Sequence, residues 1–328
     1  MPDYQHTSFY FRALFTALFS YLRLSSCWLA LIFSLAGTSP GFAQEIVPNH
    51  QEMTWQAAQL SSSWQFEIKA NSNGKTYRIW LYLPSRPAPA NGYPVLWALD
   101  GNASFPALHS AHQQQLAKSK SDYQDGVIVA IGDPEQPGFA ERSRSYDYTP
   151  FAQCRNCPAS DLSYGGADQF RQFISRQLRP LIAAKVALDS SRQTLFGFSY
   201  GGLFSSYVLL TEAKLFQRYW ITSPSLWFDQ HQLLALAPQL LQGKPQPATR
   251  LRIVLTTGYE EEFPPAGTEP GRAEKLKQRK MLSNTQAFAS LIKAGYPADL
   301  ELTFPLARDH GDMFDYACRR VSVFAFSP

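Results

Sequence analysis

Ser199 lies in the pentapeptide Gly197-Phe198-Ser199-Tyr200-Gly201, directly after an apolar segment at residues 194–198 and before an apolar stretch from residue 203. A G-x-S-x-G pentapeptide between a strand and a helix is typical of a nucleophile elbow, a tight turn that raises the serine hydroxyl above a sheet. Small flanking residues let such a turn pass close to its neighbours. The context therefore predicts that Ser199 is a nucleophile, and the alternative is an ordinary serine in a glycine-rich turn.

His310 is the candidate general base. A serine hydroxyl is a weak nucleophile at neutral pH and needs a base within hydrogen-bond reach. When such a serine occupies a strand-to-helix elbow, the chain order is serine, acid, histidine, and His310 falls between the last predicted strand and the last predicted helix. His231 is the weaker candidate, because it begins a predicted helix and precedes the loop expected to carry the acid.

The acid that would orient His310 is expected in the loop after the predicted strand at residues 252–257. That loop contains Glu260, Glu261 and Glu262, and we select Glu260. Asp309 is adjacent to the histidine in sequence, but its side chain would have difficulty folding back onto the imidazole. A serine and histidine pair that works without a third member is an open alternative.

Two backbone N–H groups are expected to stabilise the oxyanion that forms when a serine attacks an acyl carbon. One is the amide of Tyr200, which directly follows the nucleophile. The other is expected in the turn after the predicted strand at residues 95–99, where Gly101 and Asn102 are both candidates. A plain β-turn is the alternative for that segment.

The rest of the chain is predicted to be α/β, with a mostly parallel twisted sheet and helices on both faces. The predicted strands are residues 64–69, 76–83, 95–99, 127–131, 194–198, 218–222, 252–257 and 300–304. The predicted helices are residues 105–117, 167–184, 201–210, 230–241, 273–294 and 312–324. Residues 133–163 read as a long polar loop, and residues 44–328 as a single domain.

The N-terminal segment predicts export. Arg12 and Arg23 precede an apolar run at residues 27–36, and Gly41-Phe42-Ala43 resembles a small-x-small cleavage site. Residues 1–43 are therefore expected to be a signal peptide that directs the protein to the periplasm or the medium. A retained membrane anchor and a lipoprotein signal ending at Cys27 are the alternatives.

Composition limits the classes of ligand and partner that the protein is expected to bind. The 328 residues carry a net charge of +4 with no long basic run, which does not favour nucleic acid, and nothing predicts a cofactor or an obligate protein partner. Cys154 and Cys157 are expected to form a disulfide after export, with Cys318 left unpaired. A metal site is not expected, because a second pair of ligands at similar spacing is missing.

Several longer segments resemble the putative-esterase branch of the α/β hydrolases, and within it the compact, exported enterochelin-esterase-like siderophore hydrolases. They are YPVLWALDGN at 93–102, RSYDYTP at 144–150, GGADQF at 165–170, ITSPS at 221–225 and DHG at 309–311. The resemblance implies the α/β-hydrolase fold and hydrolysis of a small-molecule ester, with the trilactone of catecholate siderophores as the leading substrate. Acyltransferases, feruloyl esterases and thioester hydrolases share this branch, and a non-catalytic binding domain is the alternative from another class.

Arg142 and Arg144 lie near Tyr146 and Tyr148 in the predicted long loop. Guanidinium groups bind anions through paired hydrogen bonds and stack on aromatic rings. We therefore expect Arg144, which falls in the RSYDYTP segment, and Arg142 to bind an anionic aromatic substrate. A solvated surface pair is the alternative.

Overall fold

The structure is a computed structural model that describes residues 57–118, 122–150, 161–242, 247 and 249–328. The predicted signal peptide and the predicted disulfide between Cys154 and Cys157 lie outside these residues and stay predictions. Cys318 is buried and forms no disulfide within the described residues, and burial raises the pKa of its thiol.

Within the described ranges, eight strands form one sheet, as the hydrophobic pattern predicts. Their order across the sheet is β1-β2-β4-β3-β5-β6-β7-β8. β1 and β2 are an antiparallel hairpin that pairs with β4, and the neighbouring strands from β4 to β8 are parallel. The strands are β1 Ser63–Lys69, β2 Thr76–Tyr82, β3 Tyr93–Ala98, β4 Val127–Gly132, β5 Leu188–Phe198, β6 Arg218–Thr222, β7 Leu251–Thr256 and β8 Ala298–Thr303.

Nine α-helices are found in the part of the chain that the structure describes. A π-helical turn at Ile174–Leu178 joins two of them, and 3-10 turns occur at Ala213–Leu215 and Tyr259–Glu261. The α-helices are α1 Gly101–Ala117, α2 Glu141–Asp147, α3 Ala167–Phe173, α4 Arg179–Ala183, α5 Tyr200–Glu212, α6 Phe228–Leu241, α7 Pro270–Arg279, α8 Met281–Gly295 and α9 His310–Phe326.

The central strands are buried on both faces, and their alternating side chains belong to two hydrophobic clusters. In β3, Val95 and Trp97 join the cluster that contains the buried side chains of α5 and α8. Leu96 and Ala98 join the cluster that contains those of α1 and α9. Successive side chains of a strand point to opposite faces, so the expectation of helices on both faces of a parallel sheet is confirmed.

Two helical predictions need correction. The expected polar loop at residues 133–163 contains α2, a seven-residue helix whose Ser145 and Asp147 are buried. The single helix expected at residues 273–294 is two helices, α7 and α8, because Lys280 between them has φ of 49°. A left-handed residue cannot continue an α-helix, so α7 is free to take its own direction.

The parallel arrangement decides where chemistry can occur. β3 and β5 are neighbours, and α1 and α5 begin directly after their carboxyl ends. The carboxyl ends of β7 and β8 reach the same edge of the sheet. The turns that contain the candidate residues are therefore gathered along one edge, where open α/β sheets usually bind ligands.

Two features are absent from the described residues. No helix there is long and apolar enough to cross a membrane. No group of three or more His, Cys, Asp or Glu side chains there is placed to hold a metal ion.

Candidate functional site

Ser199 occupies the turn between β5 and α5 with φ of 59° and ψ of −117°. Such a conformation costs about 1–3 kcal/mol in a residue with a side chain, so the surroundings must hold it. The Ser199 N–H donates to Thr222 O at 3.1 Å, and its carbonyl accepts from Leu203 N at 2.9 Å and Ser225 N at 3.1 Å. These bonds tie the serine to its own helix and to the turn after β6.

The flanking glycines explain why the turn is possible. A Cβ atom on Gly197 would lie 2.1 Å from the Gly201 carbonyl oxygen, and one on Gly202 would lie 2.8 Å from Thr222 O. Both contacts are with backbone, which cannot swing away as a flexible side chain can. The turn therefore passes close to the neighbouring backbone, as the sequence pattern predicts.

His310 faces the serine hydroxyl. Its Nε2 lies 3.1 Å from Ser199 Oγ, within hydrogen-bond distance. The histidine is the first residue of α9, and the side chain of the preceding Asp309 caps that helix by accepting from Asp312 N at 3.1 Å. The ring also packs against Phe198, with 4.7 Å between the ring centroids. Its position is thus set by a helix start and an aromatic neighbour.

The carboxylate that contacts the histidine belongs to Glu261, so the selection of Glu260 was wrong. His310 Nδ1 is hydrogen-bonded to Glu261 Oε2. The Glu261 side chain is 1% exposed, whereas Glu260 is only partly buried. The two residues lie in the same 3-10 turn, and only Glu261 points inward.

Two further donors hold the Glu261 carboxylate. Its Oε1 accepts from Ser223 Oγ at 2.5 Å and from Gly258 N at 2.7 Å. A buried carboxylate is stable when such partners replace its water. The arrangement leaves Oε2 for His310, so Ser199, His310 and Glu261 form a continuous hydrogen-bonded line.

The loop that follows β7 is hydrogen-bonded to the loop that follows β8, next to the line formed by Ser199, His310 and Glu261. The Glu260 N–H donates to Arg308 O at 3.1 Å. A Cβ atom on Gly258 would lie 2.3 Å from the same Arg308 oxygen. Glycine therefore permits a close approach that brings the acid-bearing loop against the histidine-bearing loop.

The amides expected to bind an oxyanion lie at the starts of two helices. Tyr200 is the first residue of α5, and Gly101 and Asn102 begin α1, so none of the three N–H groups has a partner within its helix. The turns touch, since a Cβ atom on Gly201 would lie 3.3 Å from Asp100 Oδ2.

The Asn102 side chain is occupied elsewhere. Its amide bonds to the backbone of Asp133, donating to the carbonyl at 2.9 Å and accepting from the N–H at 2.8 Å. Asn102 could therefore reach an oxyanion through its backbone N–H and not through its side chain. The backbone N–H of Gly101 is an equal candidate.

Arg144 does not lie free at the mouth of the site, which corrects the expectation that it binds substrate. Its Nε and Nη2 donate to the two carboxylate oxygens of Asp100 at 3.0 and 3.1 Å, and Nη2 also donates to Phe198 O at 3.2 Å. Burial raises the pKa of the Asp100 carboxyl, and the Arg144 guanidinium opposes that shift. The arginine instead links the turn before α1 to the end of β5.

Arg142, the second expected substrate ligand, lies on the surface. Its side chain is 70% exposed, and its Nη2 lies 3.7 Å from Asp161 Oδ2. Exposed ion pairs of this kind contribute little to the free energy of folding. Arg142 is therefore a solvated surface residue, which was the alternative to substrate binding.

A cavity of about 400 Å³ opens beside Ser199 and His310. Tyr200, Ser225 and Trp227 line one part of it, and the Ser225 hydroxyl lies 3.4 Å from Ser199 Oγ. One face of α7 lines another part. Sequence reasoning did not select Ser225 or Trp227, although the family-like ITSPS segment and its aromatic neighbour were a signal for them.

The buried pair generates a prediction about stability. Arg144→Ala leaves the Asp100 carboxylate buried without its partner, and we expect the free energy of unfolding to fall by about 3–5 kcal/mol. Arg142→Ala is the matched control and should change it by less than about 0.5 kcal/mol. Urea denaturation followed by circular dichroism measures both. Equal, small losses in the two variants would contradict a stabilising role for the buried pair.

Curated relatives resemble parts of the chain. The apo-salmochelin esterase of Escherichia coli O6:H1 is 38% identical over 163 residues, which cover 48% of this chain and 50% of the relative. The chain thus matches about half the length of that protein. The ferri-bacillibactin esterase BesA of Bacillus subtilis is 31% identical over 222 residues, which cover 66% of this chain and 76% of the relative.

Solved structures share the fold. The siderophore hydrolase EstB from Aspergillus nidulans superposes with a TM-score of 0.72 at 26% identity, covering 83% of this chain and 98% of that one. The BES protein from Bacillus cereus superposes with a TM-score of 0.70 at 26% identity, covering 84% of this chain and 100% of that one. The model of the family described as "Putative esterase" matches residues 70–294. The chain belongs to this esterase family, on the α/β-hydrolase fold that its sequence predicted.

Proposed function

We propose that the protein is a serine hydrolase that cleaves the ester bonds of a siderophore. The observation that carries the proposal is the hydrogen-bonded line from Ser199 through His310 to Glu261, at the carboxyl edge of the sheet and open to a cavity. Relatives named as esterases of salmochelin, bacillibactin and enterobactin supply the substrate class.

The first step is attack by Ser199 Oγ on the ester carbonyl carbon. As the new C–O bond forms, His310 Nε2 takes the hydroxyl proton, and the carboxylate of Glu261 stabilises the imidazolium through Nδ1–H. The hydrogen bonds from Ser223 and Gly258 hold that carboxylate in place. The histidine then returns the proton to the departing alkoxide, and an acyl-enzyme remains.

The carbonyl oxygen gains negative charge during the attack. The Tyr200 N–H and a second N–H, from Gly101 or Asn102, are the proposed donors to this oxygen, because α5 and α1 both begin at the edge of the sheet where Ser199 lies. Such preorganised donors stabilise the charge without reorganising during the reaction. Water activated by the same histidine then hydrolyses the acyl-enzyme.

Replacing Ser199 with Ala tests the nucleophile. We expect kcat for 4-nitrophenyl acetate to fall by at least about a thousandfold, with no additional loss when His310→Ala is combined with it, because the two act as one unit. Intact-mass spectrometry after treatment with a fluorophosphonate should find one adduct in the native protein and none in Ser199→Ala. Native-rate turnover by Ser199→Ala would rule out the proposed mechanism.

Glu261→Gln and Glu260→Gln form a matched pair that tests the acid. The amide in Glu261→Gln cannot stabilise the imidazolium, and we expect kcat to fall by about 10²- to 10⁴-fold. Glu260→Gln should keep kcat within about twofold of the native value, because its side chain is absent from the hydrogen-bonded line. Steady-state kinetics on 4-nitrophenyl acetate measure both. The reverse ranking would restore Glu260 as the acid.

Export to the periplasm or the medium is the other part of the proposal. The basic start, the apolar run at residues 27–36 and the small residues Gly41 and Ala43 support it. N-terminal sequencing of protein from an extracytoplasmic fraction should begin at or near Gln44. Intact Met1 in a membrane pellet would instead indicate a retained anchor.

A further inference from the structure

One face of α7 carries positive charge into the cavity beside Ser199. Arg272, Lys275, Leu276 and Arg279 all line that cavity. Their spacing is i, i+3, i+4 and i+7, which places them along one side of a helix. The basic residues at 272, 275 and 279 were visible in the sequence at this spacing, but the chain alone did not show that they approach the nucleophile.

The helix is held at its ends and not by a buried face. The Glu269 side chain caps it by accepting from Gly271 N at 2.8 Å and Arg272 N at 2.7 Å. No residue of α7 is buried, and the left-handed Lys280 ends it. Since the core does not depend on α7, its side chains are available to a ligand.

Most of this charge has no carboxylate partner. Arg272 lies 3.4 Å from Asp309 Oδ2. Within the described part of the chain, neither Lys275 nor Arg279 forms an ion pair. Two glutamates also line the cavity, Glu141 on α2 and Glu261, whose carboxylate contacts His310 and Ser223, so the three basic residues of α7 outnumber the acidic ones there. The α7 side of the cavity therefore attracts anions.

Aromatic rings adjoin the positive charge. The Arg279 guanidinium lies 4.3 Å from the centroid of the Trp227 ring, and that ring lies 6.3 Å from the Tyr200 ring. Flat rings beside a cation suit a ligand that is itself aromatic and negatively charged.

We propose that the face formed by Arg272, Lys275 and Arg279 is an anion subsite that makes the enzyme prefer the iron-loaded form of a catecholate ester over its metal-free form. The proposal rests on the proposed siderophore ester hydrolysis. A catechol that binds iron(III) loses both phenolic protons, so the iron complex of three catecholates has a net negative charge. The metal-free ligand is close to neutral at neutral pH, and the α7 charges attract it less.

Lys275→Glu is the test variant, and Lys277→Glu is its control on the same helix. Both side chains are exposed, but Lys277 does not line the cavity. The measurement is kcat/KM for the iron-loaded and the metal-free catecholate trilactone. We expect the ratio of the two values to exceed one in the native protein and to fall about fivefold to twentyfold in Lys275→Glu, as for a reversed charge near a solvated anion. Lys277→Glu should keep the ratio within about twofold of native.

Ionic strength gives an independent readout. Raising the salt concentration should reduce the native preference for the iron-loaded form, because salt screens partly exposed charges. An unchanged ratio in Lys275→Glu, an equal fall in Lys277→Glu, or a native preference for the metal-free ligand would overturn the subsite.

Binding separates failure of the subsite from failure of the proposed function. In a Ser199→Ala background, quenching of tryptophan fluorescence gives Kd for the iron-loaded and metal-free ligands without turnover. Adding Lys275→Glu should weaken binding of the iron-loaded ligand about fivefold to twentyfold. Selective binding without turnover by the native enzyme would retain the subsite and reject the esterase, whereas turnover without this selectivity would do the reverse.

Discussion

The backbone conformation of Ser199 is the constraint on which the rest of the site depends. A positive φ at a residue with a side chain is unfavourable, and it persists here because β5, β6 and α5 hold both sides of the turn by hydrogen bonds. Gly197 and Gly202 are small because backbone from neighbouring elements occupies the space of a side chain. This turn raises the hydroxyl toward His310 and also starts α5, so one local geometry positions both the proposed nucleophile and the proposed amide donor.

The Glu261 carboxylate shows how the second half of the site is built. It is buried, and its partners come from three places: Gly258 in its own loop, Ser223 after β6, and His310 after β8. These segments meet only because parallel neighbours end at a common edge. The acid therefore holds two loops against the sheet as well as orienting the imidazole, and a buried charge with satisfied hydrogen bonds can do both.

Features that depend on local sequence could be predicted, and features that depend on contacts between distant segments could not. The strands and the elbow at Ser199 depend on local periodicity and on glycine, which a single chain displays. The preference for Glu261 over Glu260 depends on which side of a 3-10 turn faces the sheet, and three consecutive glutamates carry no such signal. Helix α2 was missed because it is short and polar, and tertiary contacts that bury Ser145 and Asp147 stabilise it.

The basic side chains near the site differ in what their charge can do. Arg144 is enclosed by Asp100 and three aromatic rings, so its charge is already balanced and a substrate would gain little from it. Lys275 and Arg279 keep part of their charge facing the cavity, where a ligand can replace water around it. Discrimination between charge states requires an interaction that changes with the ligand. The buried Arg144 therefore holds the turn before α1 in place, whereas the proposed subsite on α7 faces the cavity and would interact with a charged ester.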